Sequence, residues 1–265
     1  MGSECRLCGS GTRKVFTALM MGKYEVDYER CDNCGMLQTE PPYWLEEAFS
    51  QGAVASDTYV MERCMAQSRA VSAIILAFLD RRARFVDYGG GLGLLTRAMR
   101  DRGFDFYWMD PFAENLVARG FEHDGSGRVE AVTAMEIFEH FAEPREDIGK
   151  VLEIADSVIF STELLPERVP RPEDWWYYGL EHGQHICFYS RRTMEYIARD
   201  RGLHYYGCRD LHLLVPRPLD RVKLEIIRAL PSSLVDIWNR LVLPSRTGPD
   251  MREMVERARI EQTEK

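Results

Sequence analysis

Phe85-Val86-Asp87-Tyr88-Gly89-Gly90-Gly91-Leu92-Gly93 decides how the rest of this chain is read. Arg84 to Tyr88 has the composition of a short strand, and from Leu94 to Arg102 a helical period runs until Gly103. Glycines between a strand and a helix let the backbone turn sharply and come close to a ligand. Upstream, Tyr59 to Asp80 carries Val71, Ile74, Ile75, Phe78 and Leu79 at helical spacing. Downstream, strands are predicted over 104–109, 129–134, 157–162, 203–209 and 211–215, and helices over 113–119, 148–155 and 192–201. Strands alternating with helices imply an α/β fold, a Rossmann-like parallel sheet covered on both faces.

Asp110 lies 19 residues after Gly91, at the end of the next predicted strand. A carboxylate there can accept hydrogen bonds from both hydroxyls of a ribose. A dinucleotide loop, GxGxxG/A, would need Gly or Ala at position 94, and Leu94 stands there, which disfavours a nicotinamide oxidoreductase. The pattern present is Asp-x-Gly-x-Gly-x-Gly over 87–93. It resembles motif I of the class I methyltransferases that use S-adenosylmethionine (SAM). The resemblance assigns Asp87 to the methionine ammonium and Gly89, Gly91, Gly93 and Asp110 to the cofactor cradle. Met135-Glu136-Ile137-Phe138-Glu139-His140 resembles the segment after the fourth strand in a subgroup of these enzymes, which implies that Met135, Glu136 and His140 line the cofactor.

Cys5-x2-Cys8 and Cys31-x2-Cys34 form two pairs with 22 residues between them. Four thiolates suit tetrahedral Zn2+, and a closed four-cysteine site is structural. A small segment with few apolar residues needs such a staple. Cys64, Cys187 and Cys208 stand singly and read as buried thiols.

Trp175-Trp176-Tyr177-Tyr178 precedes Glu181-His182-Gly183-Gln184-His185, then Phe188-Tyr189-Ser190. The latter stretch resembles a loop of sugar methyltransferases that also carry an N-terminal four-cysteine zinc site, in which a histidine is the proposed base. Counting back from Ser190 selects His185, whereas the Glu-His pair selects His182. An imidazole near its ordinary pKa can take a hydroxyl proton at neutral pH. Tyr59 falls near a tyrosine that faces the active site in those enzymes. The four aromatics suit either stacking on an acceptor or covering a sheet edge. The resemblance runs from residue 5 to about residue 202 and stops where those enzymes continue into a large C-terminal domain; about 50 residues remain here. It implies a small-molecule acceptor, a sugar or nucleotide-linked sugar, methylated on oxygen rather than carbon.

Three parts are expected: a zinc-binding module over 1–45, a methyltransferase domain over 46–215 and a helical extension over 216–265. In the extension, Leu224, Ile227, Leu234, Ile237, Trp238 and Leu241 make an apolar stripe interrupted at Pro231. It reads as packing against the domain or a second subunit, as in a homodimer, rather than lying on a membrane surface. The charged end, 251–265, is expected to fray. A net charge of −8 makes nucleic acid a poor partner. The N-terminus lacks a signal-peptide pattern, which predicts the cytoplasm. The rival class is a non-catalytic zinc-ribbon protein, disfavoured by a complete cofactor loop.

Overall fold

The computed structural model describes residues 3–50 and 58–263. The chain opens with strands β1 (Thr12–Met20), β2 (Tyr24–Cys31) and β3 (Leu37–Thr39), then helices α1 (Leu45–Ser50) and α2 (Val60–Phe78). The alternating region follows: β4 (Arg84–Tyr88), α3 (Leu94–Asp101), β5 (Asp105–Met109), β6 (Ala131–Met135), α4 (Pro144–Ile154) and β7 (Val158–Ser161). Next come β8 (Cys187–Phe188), α5 (Arg191–Asp200), β9 (His204–Cys208) and β10 (Leu211–Val215). Helices α6 (Arg221–Ala229), α7 (Ser232–Val242) and α8 (Thr247–Thr263) close the described chain.

The main sheet has the order β5-β4-β6-β7-β10-β9. β5, β4, β6 and β7 run parallel, while β10 is antiparallel to both β7 and β9. The sheet is therefore mixed, not parallel throughout. A two-residue turn, Arg209-Asp210, with φ of 56° and 62°, folds β9 and β10 into a hairpin and reverses the last strand. Alternate side chains of β4 serve opposite faces, as the strand period requires. Phe85 packs with α2, α3, α6 and α7, and Val86 with α4, α5 and the N-terminal strands.

The helix expected over 113–119 does not form. Side chains capture its amides instead: Asp110 Oδ1 accepts from Phe112 N and Ala113 N, and Asn115 Oδ1 from Ala118 N. Leu92 O takes the amides of Leu116 and Val117, so the segment is tied to the glycine loop. Asx-type local bonds compete with a helix in this way.

β1, β2 and β3 form a second sheet that the sequence did not suggest, and its fourth strand is β8, paired to β3 through Leu37↔Phe188 and Gln38↔Cys187. The tail packs on the domain only in part. Leu224, Ile227 and Val235 are buried, whereas Leu234, Ile237 and Leu241 of the stripe stay exposed. α8 is helical to Thr263, and its first turn is held by Asp250, which receives a two-pronged bond from buried Arg100 at 2.8 Å and 2.8 Å. Residues 264–265 lie outside the described chain. Among the described residues no helix is long and apolar enough to cross a membrane.

Candidate functional site

The glycine loop leaves β4 where neighbouring strands diverge, β5 on one side and β6 on the other. Open α/β sheets bind ligands at such switch points. Gly91 N donates to Asp110 Oδ2 at 2.9 Å, and Trp108 Nε1 donates to Gly91 O at 2.8 Å, so the end of β5 holds the loop. Gly89, with φ 67°, lies against Ile137, leaving no room for a side chain. Gly91, with φ 51°, faces open space, where a ligand could approach the backbone. Gly93 packs against Asn115 and Ala118 and caps α3. Asp110 accepts three backbone N–H groups and is only half-buried, which leaves part of its lone-pair capacity toward solvent.

Asp87 lies beneath the loop. Its Oδ1 accepts from Thr133 Oγ1 at 2.8 Å and its Oδ2 from Thr96 Oγ1 at 3.0 Å. Burial pushes its carboxyl up to about 6 against these bonds. The folded pKa exceeds the unfolded one, so the wild-type protein loses stability as pH rises from about 4 to about 6. Asp87→Asn is expected to remove this dependence. The Tm difference between variant and wild type should grow in the variant's favour across that window; a constant difference would refute this account of Asp87.

Met135 ends β6, and Glu136 follows at φ 53°, a backbone position unusual for a residue with a side chain. Ser161 Oγ accepts from Glu136 N at 2.9 Å and its hydroxyl donates to Glu136 Oε1, which ties this turn to β7. Glu139 and His140 sit on the 3₁₀ turn that comes next. Ile186 N donates to Glu139 O at 2.9 Å, bringing the histidine loop alongside.

A cleft of 1140 Å³ opens here. Its lining includes Tyr59, Glu136, His140, Trp176, His182 and His185. Tyr59 precedes α2 and is 68% exposed. Of the four aromatics, Trp175, Tyr177 and Tyr178 are buried and Trp176 is 77% exposed. Three of them thus pack, all against Phe188 of β8 at ring separations of 5.7 Å, 6.4 Å and 5.2 Å, and Trp176 offers a free face.

The histidines differ in what they present. His182 Nδ1 accepts from Gln184 N at 3.1 Å, so its Nε2 carries the proton in the neutral ring. His185 Nδ1 donates to Tyr177 O at 2.7 Å, which leaves its Nε2 with a lone pair. Burial lowers both, His185 to about 4, and pushes His140 well down with the help of His185 and His182. All three are neutral imidazoles at physiological pH. Burial and nearby Glu136 push the Glu139 carboxyl up to about 8.

The four cysteines come together as expected. Sγ–Sγ separations are 3.6 Å for Cys5–Cys34 and 3.4 Å for Cys8–Cys31, and all four sulfurs lie within 4.8 Å of one another. Tetrahedral Zn–S bonds of ~2.3 Å put sulfurs roughly 3.8 Å apart, so the donor set fits. The cluster also supports the cleft. Arg6, between Cys5 and Cys8, donates to Thr39 O, Ala142 O and Ile186 O. Trp44 Nε1 donates to Gly183 O at 2.8 Å and Gln184 Nε2 to Ala48 O at 2.9 Å.

Sequence reasoning missed Trp108, Thr96, Thr133 and the isolation of Glu139. A threonine inside the apolar strand Ala131-Val132-Thr133-Ala134 was a usable signal; the others depend on tertiary contacts.

The family described as "Methyltransferase domain" matches residues 62–206, more than half of the chain. The chain belongs to this family and is a SAM-dependent methyltransferase. No curated protein matches it. Among solved structures it is similar to magnesium protoporphyrin IX methyltransferase (ChlM) from Synechocystis PCC 6803 with bound SAM, at 15% identity and TM-score 0.40, over 64% of this chain and 87% of that one. Human N-acetylserotonin methyltransferase in complex with SAM is similar at 13% identity and TM-score 0.43, over 66% of each chain. The complex between the Haloferax volcanii Trm112 methyltransferase activator and the putative methyltransferase gives a match at 16% identity and TM-score 0.45, over 68% of this chain and 99% of that one.

Proposed function

We propose that this chain methylates an oxygen of a small, sugar-like acceptor held in the 1140 Å³ cleft. The observation that carries the reading is the lone pair of His185 Nε2 in a cleft lined by Glu136, whose chain neighbour Ile137 lies against Gly89 of the glycine loop. When bound, SAM supplies a methyl group on a sulfonium leaving group. Gly89, Gly91, Gly93 and Asp110 would cradle it, with Met135, Glu136 and His140 along its other side. The residues of the cleft align the acceptor oxygen with the methyl carbon. His185 Nε2 takes the hydroxyl proton, and the N–H of His182 holds the acceptor oxygen. Trp176 and Tyr59 offer faces for a sugar ring. The four cysteines would hold a structural Zn2+, in keeping with the reducing cytoplasm, where thiols persist.

Thermal shift tests the cofactor half. SAM and S-adenosylhomocysteine are expected to raise Tm while NAD does not; a selective response to NAD would refute the reading. His185→Ala is expected to lower kcat by about 10²- to 10⁴-fold on a true acceptor, as loss of a general base does. His182→Ala should act more on KM. Unchanged turnover in both variants would remove the histidines from the reaction.

A further inference from the structure

At the wall of the cleft, which His140 and His185 line and behind which Glu139 is buried, three potential ligand atoms from these residues lie within 4.8 Å of one another. We propose that they form a second metal site, distinct from the cysteine cluster, that binds a divalent cation and presents it to the acceptor's oxygens.

Three observations converge on it. Both carboxylate oxygens of Glu139 are buried and neither makes a hydrogen bond of ordinary geometry, the hydroxyls of Tyr177 and Thr162 being the polar groups near the carboxyl. A buried carboxylate without a partner is costly, and a cation offsets that cost. His185 donates its Nδ1 proton to Tyr177 O at 2.7 Å. A ligating histidine is held in this way, its far nitrogen bonded to a carbonyl so that the near one faces the metal. The backbone then sets the spacing. Glu139 and His140 are adjacent on one 3₁₀ turn, and the bond from Ile186 N to Glu139 O places His185 next to them. The His140 and His185 rings stand 5.1 Å apart.

Donors at about 2.0–2.2 Å from one ion lie about 3.3–3.6 Å apart in tetrahedral geometry, so binding would draw the set in by up to about an ångström. Two imidazoles and one carboxylate form a set used for first-row divalent ions with coordination positions left open. His140 and His185 line the cleft, so the open positions face the acceptor. Glu136, on the same wall, adds negative charge. A hydroxyl bound there is acidified by the ion, which suits transfer to oxygen. This role rests on the methyl-transfer reading; the binding itself does not. In this arrangement the His185 lone pair serves the ion rather than the proton.

The test uses the full zinc-loaded chain and Mn2+, whose preference for oxygen and nitrogen donors keeps it off the thiolates. Titration followed by the electron paramagnetic resonance of free Mn2+ should show one bound ion per chain. Glu139→Gln and His185→Ala should each weaken it by about 10- to 100-fold or more. His140→Asn is a third variant, and an unaltered circular-dichroism spectrum with a cooperative melt in the absence of ligand shows that each variant is folded. No binding by the wild type at millimolar Mn2+, or binding unaltered in folded variants, overturns the site. Turnover on an acceptor separates the two roles of His185. If Mn2+ binds and chelation at constant zinc abolishes turnover, the cation serves the reaction. If turnover is indifferent to chelation but lost in His185→Ala, the catalytic role of the ion is overturned and direct proton transfer stands.

Discussion

Replacing Cys31 with serine is expected to undo both the N-terminal sheet and the cleft. Structural Zn2+ is worth ~10–16 kcal/mol in small zinc-dependent folds, so losing one ligand removes most of what holds such a segment. Cys31 pairs with Cys8 across the cluster, and its carbonyl accepts from Gly35 N at 3.0 Å. The effect should travel by the bonds from Arg6, Trp44 and Gln184 that join this sheet to the histidine loop. In the cobalt-substituted protein, the thiolate charge-transfer absorption should vanish in Cys31→Ser. Trypsin should cut within residues 3–50, and turnover should fall by at least ~10-fold, as expected when positioning groups shift by about an ångström. A variant with the metal gone but unaltered protease resistance and turnover would show that the cluster supports neither.

The second large effect is expected at Asp110. Asp110→Ala leaves the amides of Gly91, Phe112 and Ala113 without their acceptor and removes the carboxylate that would meet the ribose. Hydrogen bonds to charged groups are worth about 1.5–3 kcal/mol each, so SAM affinity should drop by at least ~10²-fold in isothermal titration. Asp110→Asn should fall between the two. One amide oxygen can still serve Phe112 and Ala113, but the NH2 group faces the N–H of Gly91. Equal affinity in wild type and Asp110→Ala would place the ribose elsewhere.

What the sequence disclosed is what is local. A strand, a glycine turn and a helix follow each other within residues 84–101, and Asp110 comes at the end of the next strand, so periodicity and spacing suffice. The cysteine pairs were legible for the same reason. The helix expected over 113–119 was misread because Asp110 and Asn115 compete for its amides, a contest that apolar spacing does not register. Two residues, Cys187 and Phe188, are too few to announce a strand, and their partners are 150 residues away. The choice between His182 and His185 also lay beyond the sequence. The proposal for His185 turns on which ring nitrogen meets an amide and which meets a carbonyl. Nothing local marks Glu139, and only its burial sets it apart.

The pairing of β3 with β8 also bears on the order in which the molecule is made. Leu37 leaves the ribosome about 150 residues ahead of Phe188, at least several seconds at usual synthesis rates. Through that interval the cysteines can already be joined, yet β3 has an open edge that invites a foreign strand. Only when the histidine loop arrives is that edge closed. The first sheet to be synthesised is thus among the last to be completed, and its completion coincides with assembly of the cleft.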